Sequence, residues 1–249
     1  MDWLSPERYA SELPAEAARL ATAACRREPT AVVPTCPDWT VRDLVTHVGT
    51  GHRYAAGVIE RAATQPVPYR LEEAPADQAA WGEWLDTGAR RLTGAVRERG
   101  FDSPAWTFLP AHQTAGFWLR RMLHDGIVHR FDAEPSGEVA PDLAADGIAD
   151  LLLVFAAATG LASSDARWRQ LTGGGESLLF SATDTTDRWH VSLVPSGIVW
   201  RAAEAPADVT CRAPVAELLL VLNRRRPPTP AGIDGDRDLL DRWLTLTRF

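Results

Sequence analysis

The chain has 249 residues, of which 26 are basic and 33 acidic, giving a formal net charge of −7, and its 45% hydrophobic and 24% charged content is that of a folded globular protein. The acidic balance supplies no basic stripe for a phosphate backbone and argues against a nucleic-acid partner. The longest apolar run, Leu151 to Ala158, is too short for a bilayer, and no basic segment precedes an apolar stretch at the amino terminus, so a cytoplasmic protein with no membrane partner is expected.

Arg8 to Arg27 carries apolar residues at helical spacing. A second helix is predicted from Thr40, where T-x-x-D (Thr40 to Asp43) is close to a capping box and Pro37 lies just upstream. Helical stretches follow at about Asp77 to Arg99 and Gln113 to Asp132, separated by segments containing Pro66, Pro68, Pro104 and Pro110. Four helices joined by loops predict a bundle. AEPSGEVAPD, residues 133 to 142, then breaks the periodicity with two prolines and a glycine, which places a boundary between an amino-terminal domain, 1–135, and a carboxyl-terminal domain, 136–249.

After a helix from about Leu143 to Leu161 the period changes. SLLFSAT, RWHVSLV and GIVWRAA alternate apolar and polar residues around the turns DTTD and PS, the pattern of an antiparallel meander. ADVTCRA reads as a fourth strand, PVAELLLVLNRR as a helix opened by Pro214, and DGDRDLLDRWLTLTRF as a last helix. The fold class is therefore α+β, a four-helix bundle followed by a smaller α+β domain with an antiparallel sheet. Trp189 and Trp200 are expected in the core of that sheet.

The chemistry concentrates in "RRMLHDGIVHRFDAE", residues 120 to 134. Cys25, Cys36 and Cys211 lie far apart with no CxxC pair, which leaves any metal to histidine and carboxylate. Asp125 and His129 are four apart, about 40° around a helix, so both can face one ion. His124 falls roughly 140° from His129 and faces elsewhere. A third ligand must come from another helix, and His47 in "WTVRDLVTHVG" is the best placed, beside the apolar stripe Val41, Leu44, Val45 and Val48 and facing the bundle interior. His52, about 140° from His47, is expected in solvent. His112 and His190 lie on a loop and a strand. Periodicity equally permits a solvated Asp125–His129 pair and a hydrogen-bonded core His47.

Asp132, seven residues after Asp125, can orient a ligand histidine or close the helix through a cap or salt bridge. Arg120, Arg121 and Arg130 can bind an acidic substrate, but solvated side chains are the expected reading. Trp39 is expected to pack at the entry of the second helix.

"VPTCPDWTVRDLVTHVG", residues 33 to 49, and "RRMLHDGIVHRFDAE" resemble two signatures of the mycothiol-dependent maleylpyruvate isomerase family. "DGIADLLL", "ESLLFSATDTTDRWHVSLVPSGIVW", "LNRRRP" and "GDRDLLDRW" resemble the carboxyl-terminal domain of that family, so the likeness covers nearly the whole chain. The resemblance implies a DinB-like metalloprotein bundle with zinc, or another divalent metal, held by His47, Asp125 and His129. Asp125 stands where the family most often has Glu, one methylene longer. The resemblance further implies mycothiol, the low-molecular-weight thiol of actinobacteria, as cosubstrate. The implied activity is a zinc-dependent isomerase or S-transferase that adds metal-bound thiolate to an unsaturated or electrophilic small molecule. Arg225, the second arginine of "LNRRRP", is implied as a catalytic contributor. The carboxyl-terminal half also resembles sterol-carrier-like domains, which makes a non-catalytic binder of apolar ligands one rival. A zinc hydrolase with water in the open position is another. A monomer or homodimer is expected.

Overall fold

The computed structural model describes residues 2–160 and 166–247. It contains two compact units, an amino-terminal one, Leu4–Gly137, and a carboxyl-terminal one beginning at Glu138. No described helix is long and apolar enough to cross a membrane.

Four helices build the first unit: α1 (Pro6–Ala24), α2 (Val41–Glu60), α3 (Trp81–Arg99) and α4 (Ala115–Ala133). Each begins where the local chemistry dictates. Ser5 caps α1 through Arg8 N, with Pro6 in the first turn. Thr40 and Asp43 form a reciprocal capping box on α2, Asp43 N donating to Thr40 Oγ1 at 3.2 Å and Thr40 N to Asp43 Oδ2 at 2.8 Å. Thr114 caps α4 through Phe117 N. A single 3-10 turn, Gln78–Ala80, leads into α3. Helix α1 packs on α3 and α4, and α2 packs on the same two, around buried Tyr9, Leu13, Leu44, Leu85, Phe117 and Ile127. The four-helix arrangement read from the sequence is present.

Two features of this unit have no helical signature. Between α1 and α2 the chain forms a hairpin of β1 (Val32–Val33) and β2 (Cys36–Thr40), paired antiparallel. Between α2 and α3, residues 67–74 run back along α2 as a strap. Tyr54 Oη donates to Val67 O at 3.0 Å, Thr50 Oγ1 to Glu72 O at 2.9 Å, and Arg42 to Ala74 O at 2.7 Å, while Thr46 Oγ1 accepts from Ala74 N at 3.0 Å. The anchors 42, 46, 50 and 54 recur every four residues and so form one stripe of α2.

The second unit contains α5 (Pro141–Gly160), a short α6 (Ala166–Arg169), β3 (Ser177–Ala182), β4 (Arg188–Val194), β5 (Gly197–Arg201), β6 (Val209–Ala213), α7 (Val215–Leu222), β7 (Ile233–Gly235) and α8 (Arg237–Leu246). Leu161, the expected end of α5, and Arg248 and Phe249, the expected end of the last helix, lie outside the described residues. The sheet order is β5-β4-β3-β6-β7. Strands β3, β4 and β5 form the predicted meander. The fourth strand corrects a simple extension of it, because β6 pairs parallel to β3 and is followed by an antiparallel β7 that alternation did not reveal. Trp189 is fully buried. Trp200, expected in the core, is only half-buried: it faces Val191, but on the edge strand β5 and one residue from its end.

Candidate metal centre

Helix α2 brings His47, and α4 brings Asp125 and His129, to one place in the amino-terminal unit. Their donor atoms all lie within 4.8 Å of one another. His47 Nε2 is 3.2 Å from Asp125 Oδ2, and His129 Nε2 is 3.8 Å from Asp125 Oδ1. Donors bound to one zinc at about 2.0–2.1 Å in tetrahedral geometry stand roughly 3.3 Å apart. The two spacings to Asp125 bracket that value and the third pair of donors lies within 4.8 Å, so the three residues fit a zinc-sized cation after small side-chain adjustments. The site is also open: the side chain of His47 is 36% exposed and that of Asp125 23%, against 10% for His129. His47 therefore lies at the rim of the bundle rather than facing its interior.

The interior supports are as informative as the donors. His129 Nδ1 donates to Asp132 Oδ2 at 2.8 Å, and the Asp132 side chain is fully buried. This bond puts the proton on Nδ1 and leaves the Nε2 lone pair facing His47 and Asp125, as a histidine ligand requires. Thr35 Oγ1 donates to the other oxygen of Asp132 at 2.5 Å, and the Cys36 thiol lies 3.7 Å from Oδ2. Arg27 ties the Asp132 carbonyl (3.1 Å) to that of Val32 (3.0 Å), fastening the hairpin to α4. Cys36, His129 and Asp132 form a second group of close donors. There His129 contributes the nitrogen already bonded to Asp132, so the group with the free lone pair is His47, Asp125 and His129.

Charge within the cluster is coupled. Burial by itself would raise the Asp125 pKa, but His129, His47 and Arg121 around it hold it well below the usual carboxylate range. Burial likewise disfavours protonated His47, yet Asp125 wins and raises the His47 pKa. A carboxylate that stays ionised under burial is what a cation site needs.

Trp39 is not mere packing at the helix entry. Its ring lies 4.8 Å from that of His47 and 5.5 Å from that of His129, forming one wall over the donors. The hairpin that delivers Thr35, Cys36 and Trp39 is not among the elements expected from the sequence, where Pro37 reads only as leading into the second helix; the Val32–Val33 pair before a two-residue connector is the available strand signal. Three further expectations are corrected. His52 is 1% exposed rather than solvated, turned from the rim into the bundle beneath Leu85 and Gly88. Arg120 and Arg130 are also buried, and Arg130 Nε donates to buried Glu16 across α1 and α4. His124 packs edge-on to Tyr9, centroids 6.4 Å apart, away from the donors as its helical angle predicted.

Residues 10–134 match the family model for the mycothiol maleylpyruvate isomerase N-terminal domain, and residues 142–242 match the model for the C-terminal domain of the same enzyme. The chain belongs to the mycothiol maleylpyruvate isomerase family. It is accordingly an enzyme of the isomerase class that uses mycothiol, which displaces the non-catalytic carrier reading. Two solved structures share the family fold. The mycothiol-dependent maleylpyruvate isomerase superposes with a TM-score of 0.63 at 14% identity, over 93% of this chain and 97% of that one. A mutant of the mycothiol-dependent maleylpyruvate isomerase with a histidine changed to alanine superposes with a TM-score of 0.60 at 15% identity, over 94% and 95%. No curated protein shows a significant sequence match.

In the carboxyl-terminal unit of this family member, Arg225 follows α7. Its amide donates to Leu220 O at 2.8 Å and its guanidinium to Asn223 O at 2.7 Å. Arg224 before it adopts φ +65°, the left-handed conformation that ends the helix. Arg224, Arg225, Arg226 and Arg237 line a cavity of about 420 Å3 within that unit.

Proposed function

We propose that the protein is a metal-dependent isomerase in which mycothiol adds reversibly to an activated carbon–carbon double bond. The observation that carries this reading is the donor triad His47, Asp125 and His129 with His129 Nδ1 bonded to Asp132. Three histidine and carboxylate ligands with an exposed approach are the pattern of a catalytic zinc site that keeps one position for an exogenous ligand. A zinc ion there supplies one thing: it keeps a thiol of ordinary pKa near 8.5 as thiolate at neutral pH.

The side chains of this protein then have distinct tasks. His47, Asp125 and His129 hold the cation, Asp132 fixes the tautomer of His129, and Trp39 shields one side of the cluster from water. The mycothiol thiolate forms a carbon–sulfur bond to the double bond, whose electron pair moves to the activating carbonyl as an enolate. Rotation about the resulting single bond follows. The enolate then collapses, the carbon–sulfur bond breaks, and the thiolate leaves with the double bond in the opposite configuration. Arg225 is proposed as a further catalytic contributor, as the family resemblance implies.

The test is elemental analysis of purified protein beside Asp125→Ala, coupled to an isomerisation assay on maleylpyruvate with and without mycothiol. About one zinc per chain, lost in the variant, and turnover only with thiol are expected. Wild-type protein that contains no metal and takes up no added zinc would sink the reading. Isomerisation at the same rate without thiol would remove the thiolate mechanism.

A further inference from the structure

A cavity of about 600 Å3 in the amino-terminal unit is lined with arginine from three separate segments. Arg53 and Arg61 come from α2 and its end, Arg70 from the strap and Arg91 from α3. Two carboxylates face these four guanidiniums: Glu72 in the lining, and Glu60, which accepts from Arg91 Nε at 2.8 Å and Nη2 at 2.7 Å. Positive charge is therefore in excess here, in a chain whose net charge is −7. Among the described residues Arg70 has no hydrogen-bond or ion-pair partner, and Arg61 donates only to a carbonyl, Gly57 O at 3.2 Å.

Arg53 is built into the fold. Its side chain is 9% exposed, its guanidinium lies 4.0 Å over the Trp84 ring, and it donates to Gly49 O at 3.0 Å and Trp84 O at 2.7 Å. Gly88 on α3 makes the slot, because a Cβ there would stand 2.7 Å from Arg53 Nη1. Gly57 lets Arg61 fold back over α2 in the same way, with 3.1 Å between a Cβ and Arg61 Nη1. Glu72 reaches Arg53 Nε from the strap at 3.4 Å. Burial pulls the Arg53 pKa down, Glu72 opposes that, and the charge of Arg91 adds to the fall, so Arg53 and Arg91 repel across the cavity. An anion between them relieves that repulsion. The rest of the wall is less polar, formed by the Tyr54 ring, Val67 and Pro68.

We propose that this cavity binds a phosphate monoester, with its phosphate among the four arginines and its organic group against Tyr54, Val67 and Pro68. The site is separate from the donor triad and does not rest on the isomerase reading. Arg53 and Arg61 lie six and fourteen residues beyond His47, about 9 and 21 Å along α2, and Arg53 is turned roughly 120° from the His47 face. Guanidinium forks arriving from three segments suit the three oxygens of a tetrahedral dianion, whereas one fork already satisfies a planar carboxylate. The apolar side of the cavity favours an ester over free phosphate. Because α2, the strap and α3 each supply a cation, the bound ester joins all three.

Phenyl phosphate, inorganic phosphate and succinate test this, each titrated by calorimetry into the full-length protein in a low-salt buffer free of phosphate. The titrations are run on wild type and on Asp125→Ala, because a metal at the triad also attracts phosphate. Phenyl phosphate should bind both proteins equally, at least about threefold more tightly than inorganic phosphate or succinate, and more weakly as salt rises. Arg61 and Arg70 are exposed, so the double variant Arg61→Ala with Arg70→Ala should keep the circular dichroism of wild type and bind the ester at least about tenfold more weakly, and Arg70→Ala alone about threefold. Phenyl phosphate that does not bind, that binds wild type but not Asp125→Ala, or that binds both arginine variants as it binds wild type overturns the proposal. Inorganic phosphate or succinate bound as tightly as phenyl phosphate overturns the assignment to an ester.

Discussion

His129 and Asp132, three residues apart on α4, share a 2.8 Å hydrogen bond that fixes which ring nitrogen of His129 can bind a cation. Asp132 is itself locked by Thr35 from the β1–β2 hairpin, so the hairpin positions His129 without supplying a donor to the His47–Asp125–His129 cluster.

Removing that support should loosen the metal without dismantling the bundle. Asp132→Ala is expected to weaken zinc about 10- to 100-fold, the range typical of partners behind a ligating histidine. Asp132→Asn, which can still accept from Nδ1, should fall between it and wild type. Competition with a chromophoric chelator reads the affinity. Equal zinc affinity in wild type and Asp132→Ala, with unchanged circular dichroism, would remove the role.

His52 predicts an acid-side loss of stability. Burial pushes its pKa down to about 4, and among the described residues neither ring nitrogen has a hydrogen bond of good geometry. The unfolded chain binds the proton near pH 6.5 and the native state only near pH 4, so this contribution is full above about pH 6.5 and lost as pH falls toward 4, by about 3 kcal/mol. His52→Leu should flatten that part of the profile in urea unfolding at pH 7, 5 and 4. Parallel profiles for the two proteins would show that His52 does not govern it.

The buried pair of Glu16 and Arg130 joins α1 to α4, each side chain 3% exposed. Glu16→Leu leaves the Arg130 charge buried without this partner, and a loss of about 3–5 kcal/mol is expected. Arg26→Ala, which breaks the exposed 3.0 Å pair with Glu134, should cost less than about 1 kcal/mol. Urea midpoints that do not separate the two variants would contradict the distinction.

Two helical glycines should respond oppositely to alanine. A Cβ at Gly49 would lie 1.9 Å from the Trp84 ring, so Gly49→Ala should cost about 1–3 kcal/mol by overpacking the α2–α3 contact. Gly94 in α3 is exposed with nothing within 4 Å of a Cβ, so Gly94→Ala should add about 0.5–1 kcal/mol. Thermal denaturation of both single variants decides it, and a stabilised Gly49→Ala would mean that Trp84 moves aside at little cost.

What the sequence by itself determined was local. Helical spacing, the Thr40–Asp43 capping box and the alternation of β3 to β5 depend on neighbours a few residues apart, and all three appear where the pattern puts them. The i, i+4 relation of Asp125 and His129 was legible for the same reason. What only the tertiary structure decided were relations between distant segments: the parallel pairing of β6 with β3, and the hairpin threaded under α4 so that Thr35, Cys36 and Trp39 surround His129. So were the burial of His52, Arg120 and Arg130, and the register that sets Tyr54 against Trp118. A helical period gives the angle of a side chain around its own axis, but whether that angle meets solvent, a partner charge or an aromatic wall depends on which helix packs there, and that is settled by the whole core.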